Sequence, residues 1–400
     1  MTVARVSVGE CKLEIDDARW GADARDGIAF DRVTFGAARV VMRDDYSQAV
    51  HSLDTPGRAQ DLVDWIDWEQ TGAHRRWLAS HGFGIAEAMD TAQRFMIGWP
   101  AAERLIDMCG RLDLPGGFVA GASADHLERI ESEADLVEGV AYQCRVIDRA
   151  GGMPVILPMA ELSARKASAD EHVRIYRDII ARCEGPVLIH WLGPMFLPSL
   201  EGYFPGRSFE QLMESEPDRI AGAKLSMLDD ALERRLRRSM LEQYQLMFTG
   251  DDFNFAGLIE GETTGTTRFM GRDVPIGDFS HALLGIFDAI AAPAGRALRE
   301  LARGNLERYR EIMQTCEALS RIIFEAPTQH YKAGLAFLAW LDGRQSNPML
   351  VNRQDLARSR EHLVRVAVAA ADAGVFEHAA TAADRLNQWL AADGRSTGAS

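Results

Sequence analysis

Short apolar runs punctuate this chain, and between them lie longer stretches whose apolar positions recur at helical spacing. The runs are ARVVM from residue 38, GIAEAMD from 84, GFVAGA from 117, PVILPM from 154, PVLIHW from 186, AGAKL from 221 and LMFTGD from 246. Brief and mostly apolar, with β-branched residues in several, they suit strands covered on both faces, and they recur at the interval of a βα unit. Seven such units predict a parallel, helix-covered sheet. An eighth strand within GDFSHALLGIF (277–287) closes it into a (β/α)8 TIM barrel, the fold expected here, with a doubly wound open sheet as the alternative.

Helix-start signals support the parsing. After PVILPM, Ser168 and Glu171 have the spacing of a capping box and Gly185 follows the last turn; after AGAKL, Ser226 and Asp229 repeat that spacing. From Pro293 the strand signal stops and helix follows helix, HYKAGLAFLAWLDG among them. The expected organisation is an N-terminal extension with short strands such as VARVSV and FDRVTFG (1–36), a barrel (37–292), a helical C-terminal domain (293–392) and a polar tail, DGRSTGAS, read as disordered (393–400).

Composition narrows the function classes. With 47% hydrophobic and 26% charged residues, the 400-residue chain is that of a globular protein able to bury a large core. A net charge of −15 disfavours nucleic acid and anionic membrane as partners, since both are held by clustered Lys and Arg. Five scattered cysteines with no C-x-x-C pair suggest neither a disulfide framework nor a thiolate zinc site, and a cytoplasmic location is expected. No run approaches the roughly 20 apolar residues of a membrane span.

In a barrel, residues at the C-terminal ends of the strands gather into one site. The candidates are Asp90 and Thr91 after the second strand, Ser123 and Asp125 after the third, Glu161 after the fourth, His190 and Trp191 on the fifth, Lys224 on the sixth, and Thr249, Asp251, Asp252 and Asn254 at the seventh. Lys224 stands out because lysine is scarce: only Lys12, Lys166 and Lys332 accompany it. Burial in a barrel lowers an amine's pKa, and a free amine can attack a carbonyl to form a Schiff base. By default such a lysine pairs with a carboxylate or snorkels to solvent, His190 is a hydrogen-bonded core histidine, and TGDDFNF is a capping loop. Glu260, Glu262 and His281 fall in a long polar insertion and read as loop residues.

The order PVILPM, GPVLIHW, AGAKLS, FTGDD, followed by a helical end, resembles the dihydrodipicolinate synthase and N-acetylneuraminate lyase family of class I aldolases, from about Ala37 to Phe376. The resemblance implies a (β/α)8 barrel with a C-terminal helical domain, a homodimer or homotetramer, no cofactor, and an imine-forming lysine in the motif Gly222-Ala223-Lys224. The family's fifth-strand tyrosine aligns with His190, and its second-strand threonine motif with AMDTAQ, which keeps Thr91 but adds Asp90. Its carboxylate-binding arginine is replaced near Met195. The expected activity is therefore aldol cleavage, condensation or dehydration of a 2-keto acid or a sugar-derived keto compound. Lys224 is the expected nucleophile and His190 the acid and base, while Asp90, Thr91, Glu161, Asp251, Asp252 and Asn254 bind a hydroxylated substrate. Two alternatives stay open. One is a metal-dependent sugar isomerase or epimerase built on Glu161, Asp251, Asp252 and His190; the other is a non-catalytic sugar-binding barrel.

Overall fold

Eight parallel strands close into a barrel in the computed structural model, which describes residues 2–8, 11–21 and 29–392. They are β1 (Thr34–Ala37), β2 (Gly84–Glu87), β3 (Phe118–Ala122), β4 (Met153–Ile156), β5 (Val187–Leu192), β6 (Ile220–Ser226), β7 (Leu246–Thr249) and β8 (His281–Leu284). Strand β8 pairs with both β7 and β1, which completes the ring. The apolar runs serve two cores because successive side chains on a strand face opposite ways. Phe35, Val119, Val155, Leu188, Phe248 and Leu283 fill the interior, whereas Ile85, Ala120, Ile156, Ile189, Ala223 and Leu284 pack outward against the helical layer.

The first strand corrects the expectation. It lies at Thr34–Ala37, across the boundary expected at residue 36 and in line with the short strand read in FDRVTFG, and Ala38–Met42 only continues it as buried chain. Val40 and Met42 belong to a side cluster with Leu62, Ile66 and Ile97, and Met42 forms an isolated antiparallel bridge to Ile66. Apolarity marked that segment as buried but could not say which part joined the ladder. A second correction concerns Ser226, which ends β6 rather than capping a helix; Asp229 caps Asp230–Glu242 by accepting from Leu232 N–H. The Ser168–Glu171 capping box forms as expected.

The polar insertion before β8 is a hairpin, Thr263–Phe269 with Arg272–Gly277. Phe269 packs on Phe35 and Phe248, with ring centroids 6.4 and 5.5 Å apart, and Met270 reaches Gly117 at the start of β3. The hairpin thus plugs the N-terminal end of the barrel. His281, the first residue of β8, accepts the Val33 N–H through Nδ1 at 2.9 Å and serves that closed end.

After β8, helix Phe287–Ala302 runs through Pro293, the residue at which the helical end was expected to begin. The helix kinks at Ile290, so the proline follows the break instead of interrupting a continuous ladder. Helices Leu306–Ile323, Lys332–Leu341, Arg360–Ala373 and Ala379–Ala392 follow. The N-terminal hairpin, Val3–Val8 with Cys11–Asp16, packs on the last two, and Trp20 donates its indole N–H to Ala373 O at 2.8 Å. The tail from 393 lies outside the described residues.

A buried charge network ties these helices to the barrel rim. Arg39, just past β1, pairs with Asp288 and donates to Gln345 Oε1 at 2.7 and 3.0 Å, while His74 Nε2 lies 2.7 Å from the same aspartate. Burial and the Arg39 charge depress His74 to about 3. Asp288 is held below the usual carboxylate range: burial pushes it up, but Arg39 and His74 outweigh that. No helix among the described residues is long and apolar enough to cross a membrane.

Candidate functional site

The alternation along β6 sends Ala223 and Leu225 outward to the helices and Gly222, Lys224 and Ser226 inward. Both flanking glycines have steric reasons. A Cβ on Gly222 would strike the Leu246 carbonyl of β7, and one on Gly250 would meet the Ser226 hydroxyl and come within 2.8 Å of Lys224 Cε. The two glycines thus have different causes: Gly222 lets β7 approach the backbone of β6, and Gly250 leaves room for the lysine stem.

Lys224 is 9% exposed and stands in register with His190 on β5 and Phe248 on β7. Burial lowers its amine pKa, against the pull of the Asp252 and Asp90 carboxylates. Asp252 is raised by its own burial, is opposed by the Lys224 charge, and accepts the Ile286 N–H at 3.0 Å. His190 is pushed well below an ordinary imidazole by burial and then by Lys224, so it is neutral at physiological pH. Its Nε2 shares a 3.2 Å hydrogen bond with Ser226 Oγ, and its Nδ1 has no partner among the described residues.

Thr91 Oγ1 is 2.8 Å from Tyr331 Oη, and that tyrosine comes from the C-terminal helical region. Tyr331 stacks on Phe324 with centroids 4.3 Å apart and is raised well above an ordinary phenol by burial and by Asp90. It therefore stays protonated. Asp90 pairs with Lys332 at 2.7 Å, and Lys332 also donates to Gln329 O at 3.1 Å. The negative charge of Asp90 at the barrel mouth is thus largely compensated.

The remaining candidates divide. Asp251 accepts the Phe253 and Asn254 N–H groups on Oδ1 and the Asn254 amide on Oδ2, at 2.8 to 3.1 Å. The Asn254 side-chain Oδ1 accepts from Arg321 at 3.0 Å. Both residues are occupied in holding the loop after β7, so the structure brings Asp252, and not Asp251 or Asn254, to the lysine. Asp125 is bound by Arg94 and Gln143. Glu161 is exposed at the start of a short helix, Ala160–Ala164, and lines a cavity of about 610 Å³ that Asp90 and His190 also line. Among the described residues, no group of three or more His, Cys, Asp or Glu is placed to share an ion.

Tyr331, Lys332 and Gly250 were not assigned roles from sequence, and Ser226 was read only as a helix cap. Only Lys332 carried a signal, as one of four lysines.

The sequence model of the family described as "Protein of unknown function (DUF993)" matches residues 9–395. No curated protein matches the chain in sequence. In fold it is similar to dihydrodipicolinate synthase from Oceanobacillus iheyensis, at 13% identity and TM-score 0.57 over 84% of this chain and 95% of that one. The sialic acid aldolase of Ruminococcus gnavus gives 13% and 0.58 over 86% and 98%. A variant of the 2-keto-3-deoxygluconate aldolase of Sulfolobus solfataricus gives 10% and 0.53 over 84% and 94%. The expected architecture is therefore shared with these lyases, at an identity that speaks for the fold alone.

Proposed function

We propose that this chain, which belongs to the DUF993 family, is a Schiff-base lyase that cleaves, condenses or dehydrates a keto compound through Lys224. The observation that carries the reading is a buried lysine at the open end of the barrel, lowered in pKa by its burial and set in register with a neutral histidine. The fold shared with aldolases supports it by analogy.

The free Lys224 amine attacks the carbonyl carbon, the carbinolamine oxygen leaves as water, and a protonated imine remains. In cleavage, the imine receives the electron pair of the adjacent carbon–carbon bond as that bond breaks. A base takes the proton of the hydroxyl that becomes the departing carbonyl; protonation of the enamine at carbon and hydrolysis then free the lysine. In dehydration, the imine instead acidifies the neighbouring C–H, and a β-hydroxyl leaves as water.

His190, neutral and with Nδ1 unpartnered, accepts a proton but is not charged beforehand to give one. The protonated Tyr331 phenol, relayed through Thr91, is the donor in this reading. Asp252 supplies the counter-charge to the imine, and the Asp90–Lys332 pair borders the same space.

Intact-mass spectrometry after borohydride reduction, with pyruvate and 2-keto-3-deoxygluconate as probes and Lys224→Ala alongside, tests the proposal. A reduced adduct that maps to Lys224 and vanishes in the variant supports it. An adduct only elsewhere rejects it, as does the absence of any Lys224 adduct from these probes and from 2-butanone and 4-phenyl-2-butanone.

A further inference from the structure

We infer that the part of the substrate remote from its carbonyl is an uncharged apolar group, an aryl ring or alkyl chain, housed in the cavity over the β3–β5 side of the barrel mouth. The inference rests on the Schiff-base reading for its carbonyl end and narrows that reading away from polyhydroxylated and phosphorylated compounds.

The cavity of about 610 Å³ has the size of a small-molecule pocket and reaches the reacting end through His190 and Asp90, the first in register with Lys224 and the second acting on its charge. Its walls are mainly hydrocarbon: Phe95, Leu127, Ile130, Leu157, Leu192 and Leu197. Leu192 lies two residues beyond His190 on β5, so period-two alternation stacks an apolar side chain above the imidazole. Phe95 and Leu197, both part of the cavity wall, are 59% and 37% exposed at this mouth.

The charged lining points the same way. Asp125 is consumed by Arg94 and Asp90 by Lys332, which leaves Glu128 and Glu161 against Arg129. That balance offers no cationic cradle for a phosphate. A chain of hydroxyls would need a polar partner for each, and Ser123, Ser199, Glu128, Arg129 and Glu161 are few against walls of leucine, isoleucine and phenylalanine.

The test compares 4-phenyl-2-butanone, 2-butanone and dihydroxyacetone phosphate as probes of the full chain, reading borohydride-trapped label on Lys224 against concentration. Half-maximal labelling by the aryl ketone is expected at a concentration at least about 10-fold below that for 2-butanone, with the phosphate weakest. That preference should shrink in Leu197→Glu, and 4-phenyl-2-butanone should still raise the melting temperature of Lys224→Ala. Equal labelling by the two ketones, or a preference for the phosphate, overturns the inference and leaves the Schiff-base reading intact. If no probe labels Lys224, that reading fails, and the shift in Lys224→Ala alone then decides for or against the apolar chamber.

Discussion

Thr91 and Tyr331, 240 positions apart in the chain, meet through a 2.8 Å hydrogen bond beside the site that holds Lys224. The bond spans from the turn after β2 to the C-terminal helical region, so that region contributes to the site as well as to packing. Tyr331→Phe removes the hydroxyl but keeps the stack on Phe324. If the phenol transfers protons, kcat in Tyr331→Phe falls about 100-fold or more while borohydride-trapped imine still forms. Equal loss of trapping and turnover would assign the tyrosine to positioning instead.

The pH dependence follows from the buried amine. Only uncharged Lys224 attacks a carbonyl, and burial lowers its pKa, so imine formation rises with pH through an ionisation below that of an ordinary lysine. Asp252 favours the charged amine. Asp252→Asn is therefore expected to move that ionisation to lower pH, read from initial trapping rates between pH 5 and 10. An unchanged ionisation would show that Asp252 does not act on Lys224.

Gly250→Ala adds one methyl where the Ser226 hydroxyl and the lysine stem already lie. Overpacking of this kind costs about 1–3 kcal/mol, measurable by urea unfolding. Labelling of Lys224 should fall as well, because the stem must move. A variant with unchanged stability and labelling would mean that β7 yields at this point.

At the rim, Asp288→Ala leaves the buried Arg39 guanidinium without its carboxylate. A loss of about 3–5 kcal/mol is expected from equilibrium unfolding. The same network sets an acid limb. The folded pKa of His74 is about 3, below its unfolded value, so its contribution is present at neutral pH and is lost as pH falls through the unfolded histidine range towards that value. Depression of Asp288 acts in the same sense at lower pH. His74→Gln should flatten the fall in melting temperature between pH 7 and 5 relative to the parent chain.

Much of the barrel was legible because parallel strands covered on both faces appear as unbroken apolar runs. For the same reason an ionisable residue inside such a run, Lys224 in AGAKL, was conspicuous. The register that sets His190 beside it follows from strand order. The first strand was misplaced because Val33–Met42 is buried throughout and mostly apolar, so burial did not mark where the ladder ended. Asp251 and Asp252 could not be told apart, since strand alternation ends at Gly250 and the turn alone selects which carboxylate faces the amine.

By itself, then, the sequence determined the βα order, the inward face of β6 and the unusual lysine upon it, all properties of neighbouring residues and their periodicity. Only the tertiary structure decided that Tyr331 and Lys332 close on Thr91 and Asp90, that Asn254 is consumed by Arg321, and that leucines wall the space over His190. Those contacts join segments far apart in the chain, and their geometry is set by how the helices pack on the barrel, which no local pattern encodes.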